Sequence, residues 1–197
     1  MAVHGERVER SYRLGMSTTG ASDRLNLRPL HAADEGEALS AHAELADEDF
    51  DFLLHLDGTV FANYLATLDR MRLGQGLSPT QVPETFLAAF VDDDLVGRVS
   101  IRHALSEQLL RVGGHIGYSV RPQFRRRGFA TAILRQSLVV AGEMGIERAL
   151  VTCDDSNVGS IATIERCGGV LDRSEEALVQ HKLRYWIPTA SPGASPP

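Results

Sequence analysis

The sequence predicts a mixed α/β domain in which a central, mostly antiparallel sheet is flanked by helices. Three observations carry that reading. TFLAAFVDDDLVGRVSIRH (residues 85–103) holds two apolar runs separated by an acidic turn, the pattern of an antiparallel hairpin. An amphipathic segment of roughly 15 residues follows Gly128, with Ala130, Ile133, Leu134, Leu138 and Ala141 on one face, as a helix requires. RALVTC (148–153) is a continuous apolar run, as expected of a strand buried on both faces. The order strand, helices, three strands, helix, strand, helix, strands joins an antiparallel meander to one strand–loop–helix–strand unit.

LNLRPL (25–30) alternates apolar and polar residues and reads as the first strand. Residues 31–73 are helical in pattern, broken near Asp57-Gly58, with Val60, Tyr64, Leu68 and Met71 spaced as a core-facing stripe. GLSPTQVPE (76–84) reads as a loop. Asp92–Asp94 read as a solvated hairpin turn rather than as metal ligands, because Asp bonds its own backbone in turns. GGHIGYSV (113–120) is a strand whose glycines permit a bulge or a close backbone approach. DDSNVGSIATIERCGG (154–169) reads as a short helix, with Asp155 or Ser156 as N-cap and Gly168 as terminator. In VQHKLRYWI (179–187), Val179, His181, Leu183, Tyr185 and Ile187 fall on one face of a strand.

The 197 residues suit one domain over 24–187, with a flexible arm over 1–23 and a disordered Pro/Ser/Gly-rich tail over 188–197. A net charge of −6 argues against broad affinity for nucleic acid. No apolar run approaches the roughly 20 residues of a membrane span, and the first 23 residues lack the apolar middle of a signal peptide. The two cysteines, Cys153 and Cys167, show neither metal-ligand spacing nor a disulfide framework. They read as reduced thiols in a cytoplasmic protein without a metal site.

Against this acidic background, VRPQFRRRGFATAIL (120–134) gathers three consecutive arginines before a glycine and a helix. The first turn of a helix carries N–H groups without intrahelical partners at its positive end, so an oxyanion fits there. Gly128 and Ala130 are small enough to let the backbone approach that anion. Thr131 adds a hydroxyl, and Arg125, Arg126 and Arg127 add charge. The Gly-Lys-Ser/Thr ending of a nucleotide P-loop is absent, and Gly113-Gly114 lies too early for a dinucleotide fingerprint.

HIGYSVRPQFRRRGFATAILRQSL followed by RALVTCDDSNVGSIATIERCGGVL resembles the coenzyme-A-binding half of the GCN5-related N-acetyltransferase (GNAT) superfamily. The resemblance covers about residues 85–187, and is nearest to a bacterial branch described as predicted acetyltransferases. That family's Q/R-x-x-G-x-G/A signature is matched by Arg125, Gly128 and Ala130. The resemblance implies a GNAT fold with splayed fourth and fifth strands. It implies acetyl-CoA as acyl donor and a small-molecule or peptide amine as acceptor, and it admits a homodimer. The amides of Arg126, Arg127, Gly128, Phe129, Ala130 and Thr131 would hold the pyrophosphate. The backbone of Ser119 and Val120 would pair with the pantetheine arm, and Asn157 and Ser160 would contact the cofactor from the far side.

The reaction so implied needs a neutral amine, a polarised carbonyl and a stabilised thiolate. His115 is the candidate general base, with His103 as the alternative, while Asp154 and Asp155 read as helix-capping residues. Relatives often carry a tyrosine where this chain has Ile164, and Cys167 reads as a buried small residue. The general acid is therefore unassigned, which leaves a noncatalytic acyl-CoA-binding or sensor protein as the second reading. Asp47, Glu48, Asp49 and Asp51 read as a solvated charge run, or else as a feature that draws in a cationic amine.

Overall fold

In the computed structural model, residues 24–174 and 181–189 are described. The expected arm over 1–23, Val179 and the tail from residue 190 onward lie outside them. Strand β1 (Leu25–Arg28) leads through a short 3-10 turn into helices α1 (Glu35–Ala46) and α2 (Phe61–Arg72). The hairpin β2 (Glu84–Val91) and β3 (Asp94–Arg102) follows, then a short helix α3 (Glu107–Arg111) and β4 (Ile116–Val120). Next come α4 (Phe129–Glu143), β5 (Arg148–Asp154), α5 (Val158–Arg166), β6 (Val170–Leu171) and β7 (Lys182–Pro188). The strands form two antiparallel sheets, in the order β1-β2-β3-β4 and β5-β7-β6.

Residues paired across strands share a face of a sheet. Leu87, Val99 and Tyr118 therefore point to one side and Phe86, Ser100 and Gly117 to the other. The first side packs against α4, which buries Ile133 and Leu134 completely; burial of such a side chain stabilises by about 1.5–3 kcal/mol. The second side carries a separate core of Ala41, Leu45, Phe52, Phe61, Tyr64 and Phe90 under α1 and α2. At the outer edge, Gln136 Nε2 of α4 donates to the Leu25 carbonyl at 2.8 Å and ties down β1.

Several local expectations are corrected. The stripe on α2 runs through Phe61 rather than Val60, because Val60 is the extended N-cap and is 67% exposed. The N-cap of α5 is Asn157, whose Oδ1 accepts from the Ser160 N–H at 3.0 Å, not Asp155 or Ser156. The last strand starts at Lys182: His181 is a turn residue with φ +60°, so it cannot join the strand face. It also extends through Pro188, and Thr189 still bonds the Glu147 carbonyl, so the chain stays packed two residues beyond the expected boundary. Helix α3, capped by Ser106, had no sequence signal beyond that cap.

Among the described residues, the only pairing between β4 and β5 is an isolated bridge just before β4, from Gly114 to Val151 in the middle of β5. Gly114 has φ +64°, and a Cβ placed there would stand 2.4 Å from the Leu150 carbonyl oxygen. Gly36, inside α1, has open space around it. In chemical denaturation, Gly114→Ala is expected to lose about 3 kcal/mol or more, whereas Gly36→Ala gains up to ~1 kcal/mol. A Gly114→Ala protein as stable as the parent would rule out this close contact.

Candidate functional site

The loop between β4 and α4 is built by two left-handed residues, Arg126 (φ +64°) and Gly128 (φ +84°). Gly128 is the N-cap of α4, and the first intrahelical bond runs from the Ala132 N–H to the Gly128 carbonyl. The N–H groups of Phe129, Ala130 and Thr131 are thus free of the helix. Among the described residues, no amide from Arg126 to Thr131 donates to a backbone carbonyl. Phe129 is 3% exposed and packs edge-on against Phe124, fixing the first turn while Gly128 stays at the surface. Six consecutive unengaged donors thus stand at the positive end of a 15-residue helix, where negative charge is favoured.

Two of the arginines beside this loop are engaged by glutamates. Arg125 forms a bidentate pair with Glu48 (2.9 and 2.6 Å), and its Nε donates to the Val120 carbonyl at 3.0 Å. Arg121, with a side chain only 7% exposed, makes a second bidentate pair with Glu44 and donates to the Leu95 carbonyl. Each arginine holds its partner's carboxyl below the ordinary value. Glu48 stays at the surface, 44% exposed, but its carboxylate is engaged by Arg125 and fastens the loop to the end of α1. Sequence reasoning missed Glu44. The available signal was the matched spacing of Glu44/Glu48 and Arg121/Arg125, four residues apart on each side. Arg127 lies over the Phe124 ring at 5.7 Å; it and Arg126 are exposed, as is Arg125 despite its pair with Glu48.

Past the Gly114 bridge, among the described residues β4 pairs only with β3 and β5 only with β7. Antiparallel backbones alternate between residues that bond the partner and residues that face away. The Arg121 N–H bonds the Val96 carbonyl opposite, so Ser119, two residues earlier and opposite Arg98, bonds β3 as well. A Cβ on Gly97 would stand 2.3 Å from the Ser119 oxygen, which confirms that orientation. The backbone groups that face the gap belong to Tyr118 and Val120. This corrects the expectation for Ser119, whose main chain is engaged in the sheet. Its Oγ is buried on the α1/α2 side without a hydrogen-bond partner among the described residues.

His115 stands where the two strands separate. Its N–H donates to the Leu150 carbonyl at 2.7 Å, and its Nδ1 accepts the Leu150 N–H at 3.0 Å. The imidazole thus replaces the main-chain acceptor that a continued ladder would supply. Nδ1 is occupied and the ring proton is on Nε2, which leaves no free lone pair. Burial, aided by Arg102, lowers its pKa and keeps it neutral. His115 is therefore not poised as the general base but forms the wedge that opens the strands. His103, the alternative, is held by Thr85 Oγ1 at 2.8 Å at the far end of β3.

On the α4/α5 side of the gap, the Tyr118 hydroxyl reaches Ser160 Oγ at 3.0 Å. Burial pushes its pKa up to about 12. Ile164 is fully buried and Cys153 and Cys167 are free thiols. Asn157 caps α5 with its oxygen and is exposed. Asp154 pairs with Lys182, Asp155 with His181, and Asp92 with Arg24. Among the described residues no group of three His, Cys, Asp or Glu is placed to hold a metal, and no helix is long and apolar enough to cross a membrane.

A family model for the acetyltransferase (GNAT) domain matches residues 24–170. Among solved structures, an acetyltransferase from Salmonella typhimurium that modifies the N-terminal serine of a ribosomal protein is 14% identical (TM-score 0.61, covering 86% of this chain and 98% of that one). RimJ from Mycobacterium smegmatis, in complex with CoA-disulfide, is 19% identical (TM-score 0.59, covering 83% and 81%). A microcin self-immunity acetyltransferase in complex with acetyl-CoA and AMP is 16% identical (TM-score 0.54, covering 87% and 97%). No curated protein matches significantly.

The lowered His115 pKa makes a pH prediction. The unfolded chain takes up a proton on this residue near pH 6.5, while the folded chain resists it. Stability from His115 is complete above that pH and falls as acidification proceeds toward the folded pKa. Denaturation midpoints of the parent should therefore drop more steeply below pH 6.5 than those of His115→Asn. Equal slopes would remove the neutral wedge.

Proposed function

The chain belongs to the acetyltransferase (GNAT) family, and on that premise we propose that it transfers an acetyl group from acetyl-CoA to a primary amine by direct attack. The observation that carries this reading is the pairing of six unengaged amides, Arg126 to Thr131, with an unzipped β4–β5 edge only a few residues upstream. A diphosphate needs the first and an extended amide-bearing arm needs the second. Neighbours solved with CoA or acetyl-CoA support the donor. A protein N-terminus and a small molecule are both acceptors consistent with such neighbours. The free thiols Cys153 and Cys167 suit a reducing, cytoplasmic setting.

In this reading the pyrophosphate rests on the α4 N-terminus with Arg126 and Arg127 at its rim. Arg125 acts through its backbone, since Glu48 holds its side chain. The pantetheine pairs with Tyr118 and Val120, and Asn157 and Ser160 flank it from α5. The N–H groups of Tyr118 and Val120 polarise the thioester carbonyl. The amine nitrogen attacks the carbonyl carbon, the C–N bond forms, and the C–S bond breaks. Tyr118, hydrogen-bonded to Ser160, reaches from β4 toward the place where Ile164 leaves no hydroxyl. With its high pKa it keeps its proton and stabilises the departing thiolate by a charge-assisted hydrogen bond.

Two measurements test this. By calorimetry, Gly128→Val should weaken acetyl-CoA binding at least ~10-fold, equivalent to 1.4 kcal/mol, because φ +84° excludes a branched residue and its Cβ would crowd the cradle. Arg173→Ala, away from the cradle, should bind as the parent does; equal affinity for both variants would sink the site. Separately, Tyr118→Phe should lower amine-dependent thiol release by about 10–100-fold with acetyl-CoA affinity kept. Thiol release from no amine in a panel of alkylamines, polyamines and peptides would favour the sensor reading instead.

A further inference from the structure

The residue that parts β4 from β5 also fastens them at the vertex of the gap. His115 holds both main-chain groups of Leu150, its own N–H donating to the carbonyl and its Nδ1 accepting the N–H. The His115 carbonyl does not serve β5, because it accepts the Arg102 N–H of β3 at 2.8 Å. Leu150 is fully buried, so its N–H depends on the imidazole for a partner. Beside this pair, the Gly113 N–H donates to Thr152 Oγ1 at 3.0 Å.

The same contacts set the second side of the gap. Leu150 turns its backbone to His115, whereas the Asp155 N–H bonds the His181 carbonyl toward β7. Alternation along the strand then turns the backbones of Thr152 and Asp154 to the gap. Tyr118 and Val120 face it from β4. The His115–Leu150 pair therefore stands at the start of both backbones that flank the gap. The charged group acting on the ring is Arg102 of β3, whose Nη1 binds the Gly113 and Gly114 carbonyls. From β7 the ring meets Trp186 edge-on at 6.5 Å, and that indole is engaged by Arg148 on its face and by Asp172 at its N–H. Among the described residues no carboxylate pairs with the ring itself.

We infer that His115 is an acid-sensitive latch on cofactor binding: the gap takes acetyl-CoA while Nδ1 is unprotonated, and a proton there unfastens β5 and weakens the hold on the pantetheine arm. The inference rests on the reading that acetyl-CoA occupies this gap. A protonated Nδ1 is a donor, so it stands against the Leu150 N–H and leaves a buried amide without an acceptor. It also adds a cation beside Arg102. The ring must then leave Leu150, and nothing at the vertex fixes the separation of the two backbones. The proton comes from solvent and returns to it. Coupling between sites is reciprocal, so cofactor in the gap holds the latch closed and opposes the proton. His115 acts through Leu150 and is a positioning residue.

The test compares acetyl-CoA affinity of the full chain by calorimetry between about pH 7.5 and pH 5, on either side of the ordinary histidine value. Affinity of the parent should fall on acidification, by up to about tenfold per pH unit for one linked proton. Asn places an oxygen acceptor where Nδ1 stands and does not titrate. His115→Asn should therefore bind within about threefold of the parent at the upper pH and lose about tenfold less affinity at the lower. The ligand's phosphates titrate alike against both proteins, so the difference belongs to His115. His115→Leu, with no acceptor, should bind about tenfold more weakly throughout. Trp186 is the only tryptophan of the chain, and an imidazolium beside an indole quenches its emission. Parent fluorescence should titrate with acid, saturating acetyl-CoA should move that titration to lower pH, and His115→Asn should lack it. Parallel affinity profiles for the parent and His115→Asn, or a fluorescence titration untouched by acetyl-CoA, overturn the latch. Where His115→Leu fails to fold, the parent and His115→Asn decide alone. A parent that binds no acetyl-CoA at the upper pH overturns the donor reading, and the latch with it.

Discussion

The structure depends on two neighbouring strands that do not complete their ladder. Unpaired backbone groups are expensive unless solvent or a ligand satisfies them, so β4 and β5 would be expected to zip together beyond Gly114. The side chain of His115 prevents this by taking the Leu150 N–H for itself. One imidazole in place of one carbonyl divides the strands into two sheets and frees the Tyr118 and Val120 amides toward the gap. The same neutral ring that makes a good wedge makes a poor base.

The loop that follows inherits a second constraint. Six amides can face one anion only if the chain turns sharply and then holds still. The sharp turn comes from φ > 0 at Arg126 and Gly128, and the rigidity from Phe129 below and two arginine–glutamate pairs beside it. Part of the segment's positive charge, on Arg121 and Arg125, is thus neutralised by glutamates at the end of α1. The segment that looks most basic in the sequence is partly a structural clamp on an acidic helix.

The two faces of the first sheet divide the labour. One packs α4 and α5, and brings the unengaged amides before α4 and the Tyr118–Ser160 hydroxyls to the gap. The other carries α1, α2 and the buried Glu84 cluster. At Gly117, on the α1/α2 face, the space a side chain would take is bordered by the Arg98 and Arg102 guanidiniums.

The sequence by itself determined most of the element order, the hairpin and the glycine-led start of the helix after Gly128, because each is written in short-range periodicity or in a glycine at a turn. Arg125, Gly128 and Ala130 were legible for that reason. Only the tertiary structure decided which of Ser119 and Tyr118 turns its backbone to the gap, because a one-residue difference in hydrogen-bonding phase leaves no trace in composition. It likewise decided that Glu44 and Glu48 meet Arg121 and Arg125, 77 residues away, and that His55 meets Glu84. Contacts between distant segments depend on how the helices lie on the sheet, and local sequence carries no record of that.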